Sequence, residues 1–277
     1  GWGLKIHDSA THLTLGGNVL LQPNAELSND RALDFDGTND YVNISENGSL
    51  DITDQVTVSA WVHPKKFHEE HSIIVGKGEN YRLKFRALNN ATGELSNRSS
   101  VDDHDIRFTI TVDGTRYVIG FGNLNNYLNG WHNITGTYDG NTMRLYWDGV
   151  EKASYSVSGS MTSNNEPLQM GVPTFGGEYF LGSIDEVRIW NVARTQSEIQ
   201  TNMNNTLTGS ESGLVAYYKM NDGSGTSLAD SSSNSNTATL NNMTDADWVV
   251  SGVIISAPET AAVALHNLDD DTDVTVA

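Results

Sequence analysis

The sequence predicts an all-β fold, a two-sheet antiparallel β-sandwich with one short helix. Three observations predict it. Short segments rich in Val, Ile, Thr, Phe and Tyr recur along the chain, each bounded by Gly, Asn, Asp or Pro. Asp148-Gly149 lies between two of them, and Asp-Gly there favours a type I′ hairpin, whose central residues both need positive φ. A helical pattern is confined to residues 195–204.

Taken in order, residues 1–30 are weakly patterned. Ile6, His12, Leu13, Leu15, Val19, Leu20 and Leu21 could form one or two short strands around Gly16-Gly17-Asn18, or the end of a preceding module. Residues 31–64 read as two strands joined by a carboxylate- and amide-rich loop. Leu33, Phe35, Tyr41, Val42 and Ile44 flank the turn at 36–40, and Val56, Val58, Ala60 and Val62 then alternate with Thr57, Ser59 and Trp61. Strand-like segments follow at 72–76, 81–87, 105–112, 116–121, 131–138, 143–147, 150–157, 178–190 and 213–221. Thr195 is a good helix N-cap, with Glu198 three residues on to complete a capping box and with Ile199 and Met203 on one face. Residues 222–242, dominated by Ser, Asn, Thr, Gly and Asp, read as a long surface loop, with 239–240 and 248–250 candidates to rejoin the sheet. The expected organisation is a sandwich over 31–250, with 251–277 a linker or the start of another module.

Composition narrows the function classes. The 277 residues hold 16 Lys and Arg against 35 Asp and Glu, a formal charge of −19. Such a chain repels nucleic-acid phosphate and anionic membranes, and its acidity suits either hard divalent cations, which prefer oxygen ligands, or solubility alone. Zero Cys excludes disulfides, thiolate metal sites and cysteine nucleophiles. No apolar run reaches the roughly 18 residues of a membrane-spanning helix. No signal peptide is visible, and the start at Gly1 suggests a piece of a larger precursor. GxSxG, HExxH and P-loop patterns are absent. His63, His68 and His71 surround Glu69 and Glu70 and could hold a transition metal, though Lys65 and Lys66 oppose a cation and a solvated loop is the simpler reading.

The segments ALDFDGTNDYV (32–42), TVSAWV (57–62), WHNITGTYDG (131–140), LYWDGV (145–150) and GSIDEVRIWNVARTQSEI (182–199) together resemble the laminin-G-like domains of the concanavalin A-like superfamily. The resemblance covers about 31–250. It implies a jelly roll of two antiparallel sheets, carbohydrate or protein binding and, commonly, structural calcium. It also implies a secreted or cell-surface setting in a bacterium, as a monomeric module of a multidomain chain. The partner is then a polysaccharide or glycan, or another surface protein.

Three sets of candidate residues follow. Asp36, Asn39 and Asp40 crowd one turn just after Asp34, which suits a Ca²⁺ site, the preferred reading, or an Asx-rich turn that caps its own backbone. On the resemblance alone, Asp185 and Glu186 of the IDE segment join them, so that one ion ties the opening loop to the late strand through Asp36 and Asp185. The superfamily also contains laminarinase-type glycoside hydrolases, whose ExDxxE strand carries a nucleophile and an acid. Asp185 and Glu186 are adjacent and lack acidic neighbours two residues away, so a regular strand would face them to opposite sides. A non-catalytic module is therefore expected, with a polysaccharide-degrading hydrolase or lyase as the alternative. Sugar binding needs aromatic platforms and polar groups. The ligand-binding candidates are Tyr127, Phe175, Tyr179 and His104, while Trp61, Trp131, Trp147 and Trp190 sit inside the family motifs and are assigned to the core.

Overall fold

The computed structural model describes residues 30–66, 72–87, 104–122, 124–172 and 179–256. Strands β1 (Arg31–Asp36), β2 (Tyr41–Ile44), β3 (Val56–Pro64), β4 (Ser72–Lys77), β5 (Tyr81–Ala87), β6 (His104–Val112), β7 (Thr115–Gly122) and β8 (His132–Tyr138) come first. They are followed by β9 (Thr142–Trp147), β10 (Val150–Ser156), β11 (Leu168–Met170) and β12 (Leu181–Trp190). After helix α1 (Gln196–Asn202) come β13 (Leu214–Tyr218), β14 (Ser227–Leu228), β15 (Ala238–Asn241) and β16 (Trp248–Val250). One sheet has the order β10-β9-β8-β3-β12-β1-β16, with β13 also paired to β12, and the other runs β14-β15-β2-β11-β4-β5-β6-β7. Every pairing within the sheets is antiparallel, the architecture expected from the sequence.

The period-two pattern decides which side chains fill the sandwich. Val58, Ala60 and Val62 of β3 and Ile134 of β8 face Leu83 and Phe85 of β5 and Phe108 of β6, all in one buried cluster. The two sheets approach so closely at Gly136 that a Cβ there would collide with the Phe108 ring. Asp148 and Gly149 have φ of 49° and 70°, and the β9–β10 hairpin forms where the Asp-Gly pair places it.

Helix α1 begins at Thr195, whose hydroxyl accepts from the Glu198 amide while the Glu198 carboxylate accepts from the Thr195 amide. It lies across the outer face of the first sheet. The Trp61 indole N–H donates to Met203 O (2.8 Å), and Gln200 Nε2 donates to Gly149 O (2.9 Å). Trp190, Leu207, Leu214 and Tyr217 form a second apolar cluster on that outer side. The stretch expected as a surface loop at 222–242 also contributes β14, β15 forms where 239–240 were expected to rejoin the sheet, and Leu228, Ala238 and Leu240 reach the main core. Beyond β16 the chain remains attached: Ser251 Oγ donates to Asp185 Oδ2 (2.5 Å), and Ser256 N to Asn204 O (2.8 Å).

Candidate functional site

The covering layer leaves part of the first sheet's outer face open. There the registers align Asp34 on β1 with Ser183 on β12 and Ser183 with His63 on β3. Trp131 continues this row from the residue just before β8, whose His132 pairs with Val62. Leu33, Phe35, Val62 and Ile184, the neighbours along the strands, point into the core, so the Asp34–Ser183–His63–Trp131 row faces outward. Val249, Val250 and Gly252 form the opposite wall, and Lys65 lies at the end near Asp34. The result is an open groove of about 290 Å³, the size of a small ligand subsite.

The groove has an aromatic side and a polar side. The His63 and Trp131 rings are 5.5 Å apart, tilted by 50°. A Cβ at Gly252 would stand 2.6 Å from Trp131 Nε1, so only glycine lets the chain pass over the indole edge. On the polar side, Lys65 Nζ donates to both Asp34 oxygens (2.7 and 2.6 Å), and Ser183 Oγ donates to Asp34 Oδ1 (2.7 Å). Donors and acceptors are thus fixed beside two half-buried rings. A pyranose can use such a pairing, with its C–H face on the rings and its hydroxyls on Asp34, Lys65 and Ser183.

The residues expected to bind calcium fall in two separate places. Asp36 pairs with Leu181, four positions along β12 from Asp185. At about 3.3 Å per residue their Cα atoms are about 13 Å apart, and the two carboxylates make separate sets of hydrogen bonds. The opening loop instead satisfies itself. Asp36 Oδ1 accepts from Thr38 N (2.7 Å) and Asn39 N (3.3 Å), and Asp40 Oδ2 accepts from Asp36 N (2.9 Å). Burial works against ionisation of Asp36, but these amides hold its carboxyl below the usual value. Burial pushes Asp40 up to about 6, helped by the nearby Asp36 and Asp247 carboxylates. Among the described residues no group of three or more His, Asp or Glu side chains is arranged around a common metal position.

Asp185 and Glu186 occupy a different environment from the one expected. The β12 ladder shifts register between Asp185 and Arg188, and Glu186 has φ of 50°. This bulge brings both carboxylates to the outer side, where a regular strand would have separated them. Both are buried. Glu186 accepts from Arg188 and from the Tyr217 hydroxyl (2.6 Å), and the Arg188 guanidinium stands 5.0 Å from the Tyr217 ring centroid. Asp185 accepts from Ser251 Oγ and from Glu186 N (2.7 Å) and has no cationic side-chain partner among the described residues. Burial above all, then the charges of Glu186 and Asp30, raise its pKa well above the carboxylate range. An acid and a nucleophile must both reach a glycosidic bond, and this enclosed pair does not.

The profile of laminin G-type domains, described as the concanavalin A-like lectin/glucanases superfamily, matches residues 36–200. The chain belongs to this superfamily. Pappalysin-1 of mouse and of human are 26% and 27% identical to it over 181 residues, which is 62% of this chain. The chain spans 11% of the length of those relatives. A crystal structure of a protein provisionally named as carbohydrate binding, from Bacteroides ovatus ATCC 8483, superposes with a TM-score of 0.62 at 21% identity, covering 82% of this chain and 61% of that one. This likeness is one of fold.

Within this laminin G-like sandwich the described ones among the predicted sugar-binding residues lie on different elements. Tyr127 packs edge-on against Trp147 and His132, with centroids 5.1 and 5.2 Å away, in an aromatic seam beside β7 and β9. Tyr179 is half-buried just before β12. His104 opens β6, and Phe175 lies outside the described residues, as do His68, His71, Glu69 and Glu70. Trp147 and Trp190 are buried as assigned, and Trp61 is half-buried under α1. Trp131 departs from its core assignment and lines the groove. Its position at the very start of a strand, before the alternation of β8 begins, was the signal in the sequence.

Proposed function

We propose that this chain is a non-catalytic carbohydrate-binding module of a secreted or cell-surface protein, and that the groove over Trp131 and His63 holds one sugar ring. The observation that carries this reading is the outward row Asp34–Ser183–His63–Trp131, which sets an aromatic platform against a fixed carboxylate, ammonium and hydroxyl. The name given to the Bacteroides ovatus protein of the same fold supports it. Enclosure of Asp185 and Glu186 supports the absence of hydrolase chemistry. Among the described residues no helix is long and apolar enough to cross a membrane. A glycan-array screen of the whole chain, run with calcium and with chelator, tests this. The expected result is a set of bound glycans sharing one ring type. Binding of surface proteins with no glycan retained would replace this reading with protein adhesion, and release of reducing ends or unsaturated products would replace it with an enzyme.

For calcium, we propose the corner of Asp30 and Asp185 in place of the opening loop. The charges of Glu186 and Asp30 both act on Asp185, and Glu186 is already paired to Arg188. A divalent ion would compensate Asp185, with carbonyl and solvent oxygens filling its shell. Melting should then rise with Ca²⁺ in wild type and not in Asp185→Asn. Equal melting of wild type in calcium and in chelator would remove the ion from the account.

A further inference from the structure

We propose that the groove over Trp131 takes a neutral sugar ring with two neighbouring free hydroxyls, and that the Asp34–Lys65 pair reads them. This inference rests on the groove being the sugar site and adds the class of sugar it takes. Strand spacing of about 4.8 Å puts the backbone at His63 about 10 Å from that at Asp34, two strands away across Ser183. One ring lying over Ser183 then has one edge on the aromatic side and the other on Asp34 and Lys65. The Lys65 and Asp34 side chains are 42% and 22% exposed, so this end of the groove is open to a ligand.

The free hydrogen-bonding positions select the hydroxyl pair. An ionised carboxylate has about four acceptor positions and an ammonium has three donors. Lys65 Nζ donates to Asp34 Oδ1 (2.7 Å) and Oδ2 (2.6 Å), and Ser183 Oγ donates to Oδ1 (2.7 Å). Among the described residues nothing else bonds the Asp34 carboxylate or the Lys65 ammonium. One acceptor position on Oδ2 and one N–H on Nζ are left, on atoms 2.6 Å apart. A free acceptor beside a free donor matches hydroxyls on adjacent ring carbons, one donating to Oδ2 and the other accepting from Nζ. A lone hydroxyl meets both only with bent hydrogen bonds, because atoms this close subtend a narrow angle at its oxygen. Charged rings fit less well. Asp34 and Lys65 already neutralise each other, and Asp36 stands two residues along on the same face of β1. A uronate or sulfate would have to displace Asp34 from Lys65 and would then face two carboxylates, and an amino sugar would bring its ammonium against Lys65. A hydroxyl pair leaves the ion pair intact and bonds to both charged groups, which make the stronger hydrogen bonds.

The test is calorimetry of the full chain with four polymers. Xylan and mannan have inner rings that keep a neighbouring hydroxyl pair, laminarin has inner rings that do not, and polygalacturonate keeps the pair and adds a carboxylate. Xylan or mannan should bind about tenfold or more tightly than laminarin or polygalacturonate. Mild periodate, which splits the carbon–carbon bond between paired hydroxyls, should abolish binding of that same polymer. Lys65→Met and Asp34→Asn should each weaken binding of the untreated polymer about tenfold or more. Melting curves show that each variant is folded, and if Asp34→Asn does not fold, Lys65→Met decides. Laminarin or polygalacturonate bound as tightly as xylan and mannan, binding that survives periodate, or wild-type affinity in the folded variants overturns the inference. Weakened binding in Trp131→Ala with none in Lys65→Met or Asp34→Asn, or an array that retains glycans while none of the four polymers binds, removes this inference alone. An array that retains no glycan removes the groove reading as well.

Discussion

Replacing Asp40 with Asn should stabilise this protein at neutral pH and remove part of its pH dependence. Asp40 is 3% exposed, and its Oδ2 accepts the Asp36 amide at 2.9 Å. Burial first, then the Asp36 and Asp247 charges, raise its pKa from 3.8 to about 6. Between those values the native state keeps a proton that the unfolded chain gives up. Stability from this group is therefore complete below about pH 4 and declines as pH rises through about 6. A shift of about two units at 1.36 kcal/mol each bounds the loss at about 3 kcal/mol. Asn keeps an oxygen for the Asp36 amide and carries no charge. Asp40→Asn should then gain up to about 3 kcal/mol at pH 7.5, or about 6–12 °C in a domain of this size. Thermal and urea unfolding from pH 4 to 8, in chelator, measures it. A variant less stable than wild type at pH 7.5, with the wild-type pH slope intact, would refute the reasoning.

Other perturbations test the packing. Glu186→Ala leaves the buried Arg188 guanidinium without its carboxylate and should cost about 3–5 kcal/mol in urea unfolding. Gly136→Ala drives a methyl into the Phe108 ring and should cost about 1–3 kcal/mol, read as a lower melting temperature with unchanged circular dichroism. Thr195→Ala removes the N-cap of α1 and should cost about 1 kcal/mol.

The fold was legible where local chemistry decides it. Alternation in β3, the Asp148-Gly149 turn and the Thr195–Glu198 capping box each act over a few residues, and each forms where the sequence places it. Strand β14 was hidden because one apolar residue, Leu228, carries its burial among Ser and Asn, whereas β15 forms where 239–240 were expected to rejoin the sheet. The Asp185–Glu186 bulge was not legible, since it arises from the competing registers of β1, β3 and β13 on β12. The same is true of the groove. Its row joins Asp34, His63, Trp131 and Ser183, far apart in sequence and aligned only by strand pairing. The resemblance that paired Asp36 with Asp185 carried no information on how far along β12 each would lie.

The central claim is tested most directly by calorimetric titration of the array's strongest glycan into wild type, Trp131→Ala and Tyr155→Ala. Tyr155 is 53% exposed on β10, away from the groove, and serves as the control. Loss of the Trp131 platform should weaken binding about tenfold, near 1.4 kcal/mol, while Tyr155→Ala binds as wild type does. Equal affinity in Trp131→Ala and wild type would contradict the assignment of the groove as the sugar site.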